Sequence, residues 1–191
     1  MTVNKYIDTL KNQALTNQIP IIQDEVAIYL FELIKHEHIQ HVLEIGTASS
    51  YSAHIMASAG ATVETIERND AMKELARYNI EHSPLKDLIT LFEEDAITFK
   101  TEKTYDLIFI DGAKSKYKHF FDTFQNNLND YGYIICDNMF FHHLNPKDVG
   151  RNTRQLLKKL KDFQQFLLEN KDFKTEILAI GDGLSISRRL K

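Results

Sequence analysis

The chain has 191 residues, 43% hydrophobic and 26% charged, with one cysteine and a formal net charge of −4. That length fits one domain with a full core, and the composition excludes a disordered or collagen-like chain. Short apolar runs exclude a membrane-spanning helix, and Cys136 alone cannot form an intramolecular disulfide. The opening Met-Thr-Val-Asn-Lys-Tyr lacks the apolar core of a secretion signal, so a reducing cytoplasm is the expected setting.

In chain order, residues 1–40 form a helical segment. Ile22, Val26, Leu30 and Leu33 recur at helical spacing, and Pro20 is placed to open a second helix. His41 to Ile45 is a short apolar strand ending at Gly46. A polar turn, Thr47 to Ser50, leads into a helix through Ile55 and Met56. Thr62 to Ile66 is the next strand, and Asp70 to Ile80 the next helix, capped by Asn69 or Asp70. Leu88 to Phe92 and Leu107 to Ile110 are strands, the latter apolar throughout, as a central parallel strand covered on both faces must be. His119 to Leu128 is helical and Tyr133 to Cys136 is a strand, with Cys136 in the core. Arg151 to Asn170 carries Leu156, Leu160, Phe163 and Leu167 on one stripe. Thr175 to Ile180 and Leu184 to Ser187 flank Gly181-Asp182-Gly183, a hairpin signal. The pattern predicts a single α/β domain over 1–191, doubly wound, with a mostly parallel seven-stranded sheet closed by an antiparallel hairpin.

Charge is uneven along the chain. Residues 1–140 hold 12 Lys/Arg against 21 Asp/Glu, and residues 141–191 hold 11 against 6. The basic groups include Arg151, Arg154, Lys158, Lys159, Lys161, Arg188, Arg189 and Lys191. They form either a solvated helix face with a basic tail or a surface for nucleic acid.

In doubly wound sheets ligands bind beyond the carboxyl ends of the strands, so those ends hold the candidate site. Glu67 follows Gly46 by about 20 residues, the spacing of an acidic residue that accepts ribose hydroxyls. Gly46 permits close backbone approach, and Asp95 can accept from an adenine amino group. The turn after the first strand has one glycine and then hydroxyls, not G-x-G-x-x-G, which favours a phosphate-free nucleoside over NAD. An ordinary strand-to-helix turn with exposed Glu44 and Glu67 is the plain alternative.

Asp111 ends one strand and Asp137-Asn138 another. Carboxylates after apolar runs need a partner or a cation, and three hard oxygen donors suit Mg²⁺, Mn²⁺ or Ca²⁺ rather than zinc. Alternatively they cap loops and a helix. Lys114, three positions after Asp111, turns back over the same place. As a base it must give up its proton, which partial burial and a nearby cation favour; otherwise it is a solvated neighbour of Lys116 and Lys118. His36, His38 and His41, and His142-His143, offer a rival metal set without established zinc spacing; His142 or His143 can instead line a substrate entrance.

The combination of Leu43-Glu44-Ile45-Gly46-Thr47 with Tyr51-Ser52, Thr65-Ile66-Glu67-Arg68-Asn69, Asp111-x-x-Lys114-x-x-Tyr117 and Asp137-Asn138 resembles the cation-dependent O-methyltransferases, the catechol and caffeoyl-CoA group. The similarity runs from about Ile19 to Ser187. It implies a Rossmann-like class I methyltransferase fold, S-adenosylmethionine as cofactor and Mg²⁺ or another divalent cation. By resemblance Glu44, Gly46, Thr47, Ser52, Glu67, Arg68, Asp95, Ala96 and Asp111 would bind the cofactor. Asp111, Asp137 and Asn138 would bind the metal, and Lys114 would be the general base. Within the family, Ile19-Pro20-Ile21, the Thr-Ile-Glu-Arg-Asn strand end and Gly181 to Ser187 are most similar to the bacterial branch that methylates 5-hydroxyuridine at the tRNA wobble position. That branch implies tRNA as partner, with Lys114, Tyr117, Arg151 and Arg154 facing it, and a homodimer joined through the helical N-terminus. Three positions depart from the family pattern: Ser50 and Glu94 replace glycines, and Gly112 replaces an alanine. The alternatives are a small-molecule catechol-type enzyme and a nucleotide-binding protein without catalysis.

Overall fold

The structure, a computed structural model, describes residues 2–140, 144–145 and 147–191; His142 and His143 lie outside the described residues. Chain order is α1 (Val3–Thr16), α2 (Asp24–His36), β1 (His41–Ile45), α3 (Tyr51–Ser58), β2 (Thr62–Ile66), α4 (Asp70–Glu81), β3 (Ile89–Phe92), β4 (Tyr105–Ile110), α5 (Tyr117–Phe124), β5 (Leu128–Cys136), α6 (Arg151–Glu169), β6 (Phe173–Leu178) and β7 (Leu184–Arg189). The seven strands lie in the order β3-β2-β1-β4-β5-β7-β6. β1 to β5 pair in parallel, and β7 runs antiparallel to both β5 and β6. The chain reverses its winding between β1 and β4, which places a crevice at their carboxyl ends.

Strand alternation sends side chains to opposite faces of the sheet. Val42, Leu107, Phe109 and Ile135 join Leu10, Val26, Leu30 and Met56 in one core. Leu43, Ile45, Ile108, Ile110 and Ile134 join Phe121, Phe124, Leu160 and Phe163 in the other. The second core is aromatic: the Phe121 ring meets Phe173, Phe166 and Phe163 edge-on at centroid distances of 5.1, 5.6 and 6.2 Å. At α4, Asn69 is the cap, its side chain accepting from the Met72 N–H at 3.1 Å.

Several element boundaries differ from the sequence expectation. Pro20 does not open the second helix: α2 begins at Asp24 after an extended Gln23, where Asp24 and Glu25 fall in the first turn and suit its positive end. α5 begins at Tyr117 rather than His119, and Leu128 already belongs to β5. β5 is longer than its apolar run because it passes an irregularity, Leu128 pairing with Tyr105 and Tyr133 with Leu107. Tyr131 there has φ of 61°. β6 runs from Phe173 to Leu178, not from Thr175 to Ile180, because Phe173 is buried against Phe121. Among the described residues no helix is long and apolar enough to cross a membrane.

Candidate active site

A cavity of about 540 Å³ opens at the carboxyl ends of β1, β2, β4 and β5. That is an ordinary size for a small-molecule site. Its lining contains Gly46, Thr47, Ser52, Glu67, Arg68, Asp95, Ala96, Asp111, Lys114, Asp137 and Asn138. The fold therefore gathers most of the residues read from the strand ends into one place.

At one end, Glu67 is held by backbone donors. Its Oε2 accepts from Ala48 N–H at 2.9 Å, and its Oε1 accepts from Arg68 and Asn69 N–H at 2.9 and 2.8 Å. A carboxylate has about four lone-pair sites, so the fixed group still has capacity for a ligand hydroxyl. Arg68 reaches Asp95 at 3.4 Å across the mouth, and Met72, Ile97 and Phe120 supply apolar walls. This end fits a nucleoside: an acidic acceptor already oriented, beside apolar walls with one further carboxylate.

At the other end Asp111 and Asp137 face the same space. Burial, then the charge of Asp137, push Asp111 up to about 8 against the pull of Lys114. Burial pushes Asp137 up to about 6, opposed by the Asn138 N–H and Lys114. The Asp137 carboxyl accepts that N–H at 2.7 Å. Both carboxyls stay raised despite Lys114, Asp111 through burial and Asp137, and Asp137 through burial and Asp182, so further positive charge would be stabilised here and a divalent cation would supply it. With the Asn138 amide they form an all-oxygen set that fits Mg²⁺, Mn²⁺ or Ca²⁺. Among the described residues no three His, Cys, Asp or Glu side chains gather as a metal cage. His36 pairs with Glu37 and His41 with Thr62 instead.

Four predicted site residues lie elsewhere. Glu44 is fully buried beneath the cavity floor, its Oε2 accepting from Thr65 Oγ1 at 2.5 Å. It faces the core under α3, so it supports the floor rather than touching a cofactor. Tyr117 is 1% exposed, and its hydroxyl donates to the Asp137 carbonyl at 3.0 Å. A substrate contact by Tyr117 is thus corrected: its helix phase turns the ring into the aromatic core against Phe163. Arg151 and Arg154 are exposed at the start of α6 and do not line the cavity.

The reason for Gly46 is also different. Its φ is +103°, and a Cβ there would lie 2.6 Å from the Asp111 carbonyl oxygen. The glycine lets two strand ends touch, and it also lines the cavity. Ser50 holds φ of 68° where the family pattern has glycine. A Cβ at Gly112 would meet the Ile45 carbonyl at 3.3 Å, so an alanine there needs only a slight adjustment.

Sequence reasoning missed the wall formed by Ile19, Pro20, Ile21 and Gln23. An apolar run inside a loop, where polar residues are usual, was the available signal.

The O-methyltransferase family model matches residues 3–190. The chain belongs to the O-methyltransferase family. This O-methyltransferase is 26% identical over 178 residues to caffeoyl-CoA O-methyltransferase of Populus kitakamiensis, covering 85% of this chain and 75% of that protein. A structure from Staphylococcus aureus, provisionally assigned as a caffeoyl-CoA O-methyltransferase, superposes with a TM-score of 0.90 at 33% identity, covering 96% and 91% of the two chains. The Bacillus cereus O-methyltransferase in complex with S-adenosylhomocysteine has the same fold, with a TM-score of 0.82 at 20% identity, covering 97% and 90%. The chain is therefore an S-adenosylmethionine-dependent O-methyltransferase, similar over most of its length to the caffeoyl-CoA type.

Proposed function

We propose that this O-methyltransferase transfers a methyl group from S-adenosylmethionine to the 5-hydroxyl of 5-hydroxyuridine at the tRNA wobble position, giving 5-methoxyuridine. The observation that carries the chemistry is the joining, in one cavity, of the Glu67–Asp95 end to the Asp111–Asp137–Asn138–Lys114 end.

When bound, S-adenosylmethionine supplies a reactive sulfonium methyl, and a divalent cation supplies charge that acidifies a coordinated hydroxyl. Glu67 would accept the ribose hydroxyls, Asp95 and Ala96 would flank the adenine, and Gly46 and Ser52 would lie along the methionine. Asp111, Asp137 and Asn138 would hold the cation. Lys114 Nζ, in its neutral form, would take the hydroxyl proton and become the ammonium. The Ile19–Gln23 wall would exclude water and help to hold the acceptor.

The proposed acceptor presents two adjacent oxygens, the hydroxyl and carbonyl of 5-hydroxyuracil, which would suit a bound cation. Exposed Arg151, Arg154, Lys158 and Lys161 support a polyanionic substrate. A catechol offers the same oxygen pair and is the second reading. Exposed Leu15 and Ile28, on α1 and α2, support the homodimer included in the proposal, which light scattering tests. With tRNA as substrate, the proposal also includes a cytoplasmic location.

The test is transfer of label from S-adenosylmethionine to tRNA carrying 5-hydroxyuridine, with and without EDTA, beside a catechol. EDTA-sensitive 5-methoxyuridine is the expected product. Label in catechol alone removes the tRNA substrate and keeps the chemistry.

A further inference from the structure

We infer that Gln164 and the Gly181–Gly183 turn are positioning groups, fixing the segment Asp137–Phe140 as a pre-set cradle for a divalent cation. The inference rests on the reading of Asp111, Asp137 and Asn138 as the cation-binding set.

Asn138 has φ of 55°, in the left-handed region. Asparagine visits that region more readily than most residues, yet still at a cost, and such a conformation persists only where its surroundings over-determine it. Here they do. The Tyr117 hydroxyl donates to the Asp137 carbonyl at 3.0 Å. Met139 N–H donates to the Gly183 carbonyl at 2.9 Å and Phe140 N–H to the Asp182 carbonyl at 2.8 Å. Gln164 Nε2 donates to the Met139 carbonyl at 2.7 Å. Three elements far apart in sequence, α5, α6 and the β6–β7 turn, thus grip consecutive peptide groups around one residue.

The turn itself is wedged. A Cβ on Gly183, where φ is +92°, would lie 2.7 Å from the Phe140 ring and 2.9 Å from its nitrogen. A Cβ on Gly181 would lie 2.8 Å from Val26 Cγ2 of α2. The turn therefore has no slack on either side. Gln164 does not line the active cavity; it reaches the segment from the opposite side, beside Leu157 and Leu160. Its effect must pass through the backbone. Released at Met139, the segment loses one of the bonds that hold Asn138 at positive φ, and the cradle is no longer pre-set. Groups that orient metal ligands from behind typically control affinity about 10- to 100-fold.

The test uses the full chain and Mn²⁺, with free Mn²⁺ followed by electron paramagnetic resonance. Gln164→Met keeps length and apolar packing but removes the donor. Its Mn²⁺ Kd should rise about tenfold, while calorimetric affinity for S-adenosylhomocysteine stays near that of the unaltered protein and the Tm falls by only a few degrees, as loss of one hydrogen bond to a buried carbonyl requires. Gly183→Ala should move Mn²⁺ affinity in the same direction. If Gln164→Met binds Mn²⁺ as the unaltered protein does while Asp137→Asn does not, the cation site stands and the positioning role is overturned. If Mn²⁺ affinity, S-adenosylhomocysteine affinity and Tm fall together, Gln164 is merely structural and the inference fails. If the unaltered chain and Asp137→Asn bind Mn²⁺ equally, the cation reading falls and takes the inference with it.

Discussion

Replacing Glu44 by Gln exchanges an ionisable carboxyl for a neutral isostere where no solvent reaches. Burial raises the Glu44 carboxyl from 4.5 to about 7, with a smaller push from Glu67, against hydrogen bonds from Ser52 and Thr65 that lower it. One carboxyl oxygen, Oε1, has no hydrogen-bond partner at all. A rise from 4.5 to about 7 corresponds to on the order of 3 kcal/mol between the protonation states. The sign follows from proton binding. The unfolded chain releases this proton near 4.5 and the folded chain keeps it until about 7. Stability from this group is therefore lost as pH rises through that window and stays low above it. Gln cannot ionise, so Glu44→Gln escapes the loss. Urea unfolding of both proteins at about pH 5 and pH 8.5 should show the variant gaining roughly 2–3 kcal/mol on the parent at the alkaline end. The shift of Asp137 is common to both and cancels, whereas Asp111, which the Glu44 charge helps to raise, is raised less in the variant, a smaller effect of the same sign. Parallel pH curves for the two proteins would refute the account of Glu44 as a buried carboxyl near neutrality.

Gly46→Ala combines a positive φ with a contact of 2.6 Å to main chain that cannot turn aside; it should cost about 2–3 kcal/mol and weaken S-adenosylhomocysteine binding, and an unchanged urea midpoint would contradict this. Phe121→Ala removes a fully buried ring from the aromatic core and should cost about 3–5 kcal/mol, measured by denaturant unfolding; a loss below about 1 kcal/mol would mean the core collapses onto the gap. Arg151→Ala with Arg154→Ala should weaken tRNA binding and flatten its salt dependence by roughly 0.7–0.9 per lost phosphate contact, with S-adenosylhomocysteine affinity unchanged. Equal loss of both affinities, or of neither, counts against a tRNA surface on α6.

The strand order of functional residues was legible because a parallel sheet gathers its carboxyl ends. Once apolar runs ending in Gly46, Glu67, Asp111 and Asp137 are read as strands, convergence of those ends follows from topology. Boundaries were less legible. β5 continues through Asn129, Asp130 and Gly132, where the alternation of apolar residues stops, because pairing with β4 supplies its hydrogen bonds on either side of an irregular register. Pro20 looked like a helix start, but its neighbours Ile19 and Ile21 line the cavity.

By itself, then, the sequence determined the α/β alternation, the residue types at each strand end, and the pairing of a nucleoside-type end with an acidic oxygen set. Only the tertiary structure decided which of those side chains face the cavity. Glu44 and Glu67 both close apolar strands, yet Glu44 sits one residue before the end of β1, where α3 still covers the sheet, and Glu67 stands just past β2, where the cover stops. Tyr117 turned inward for a similar reason, the phase of α5 against α6. Local pattern carries the period of a strand or helix, but where a neighbouring element stops covering it depends on contacts between residues distant in the chain.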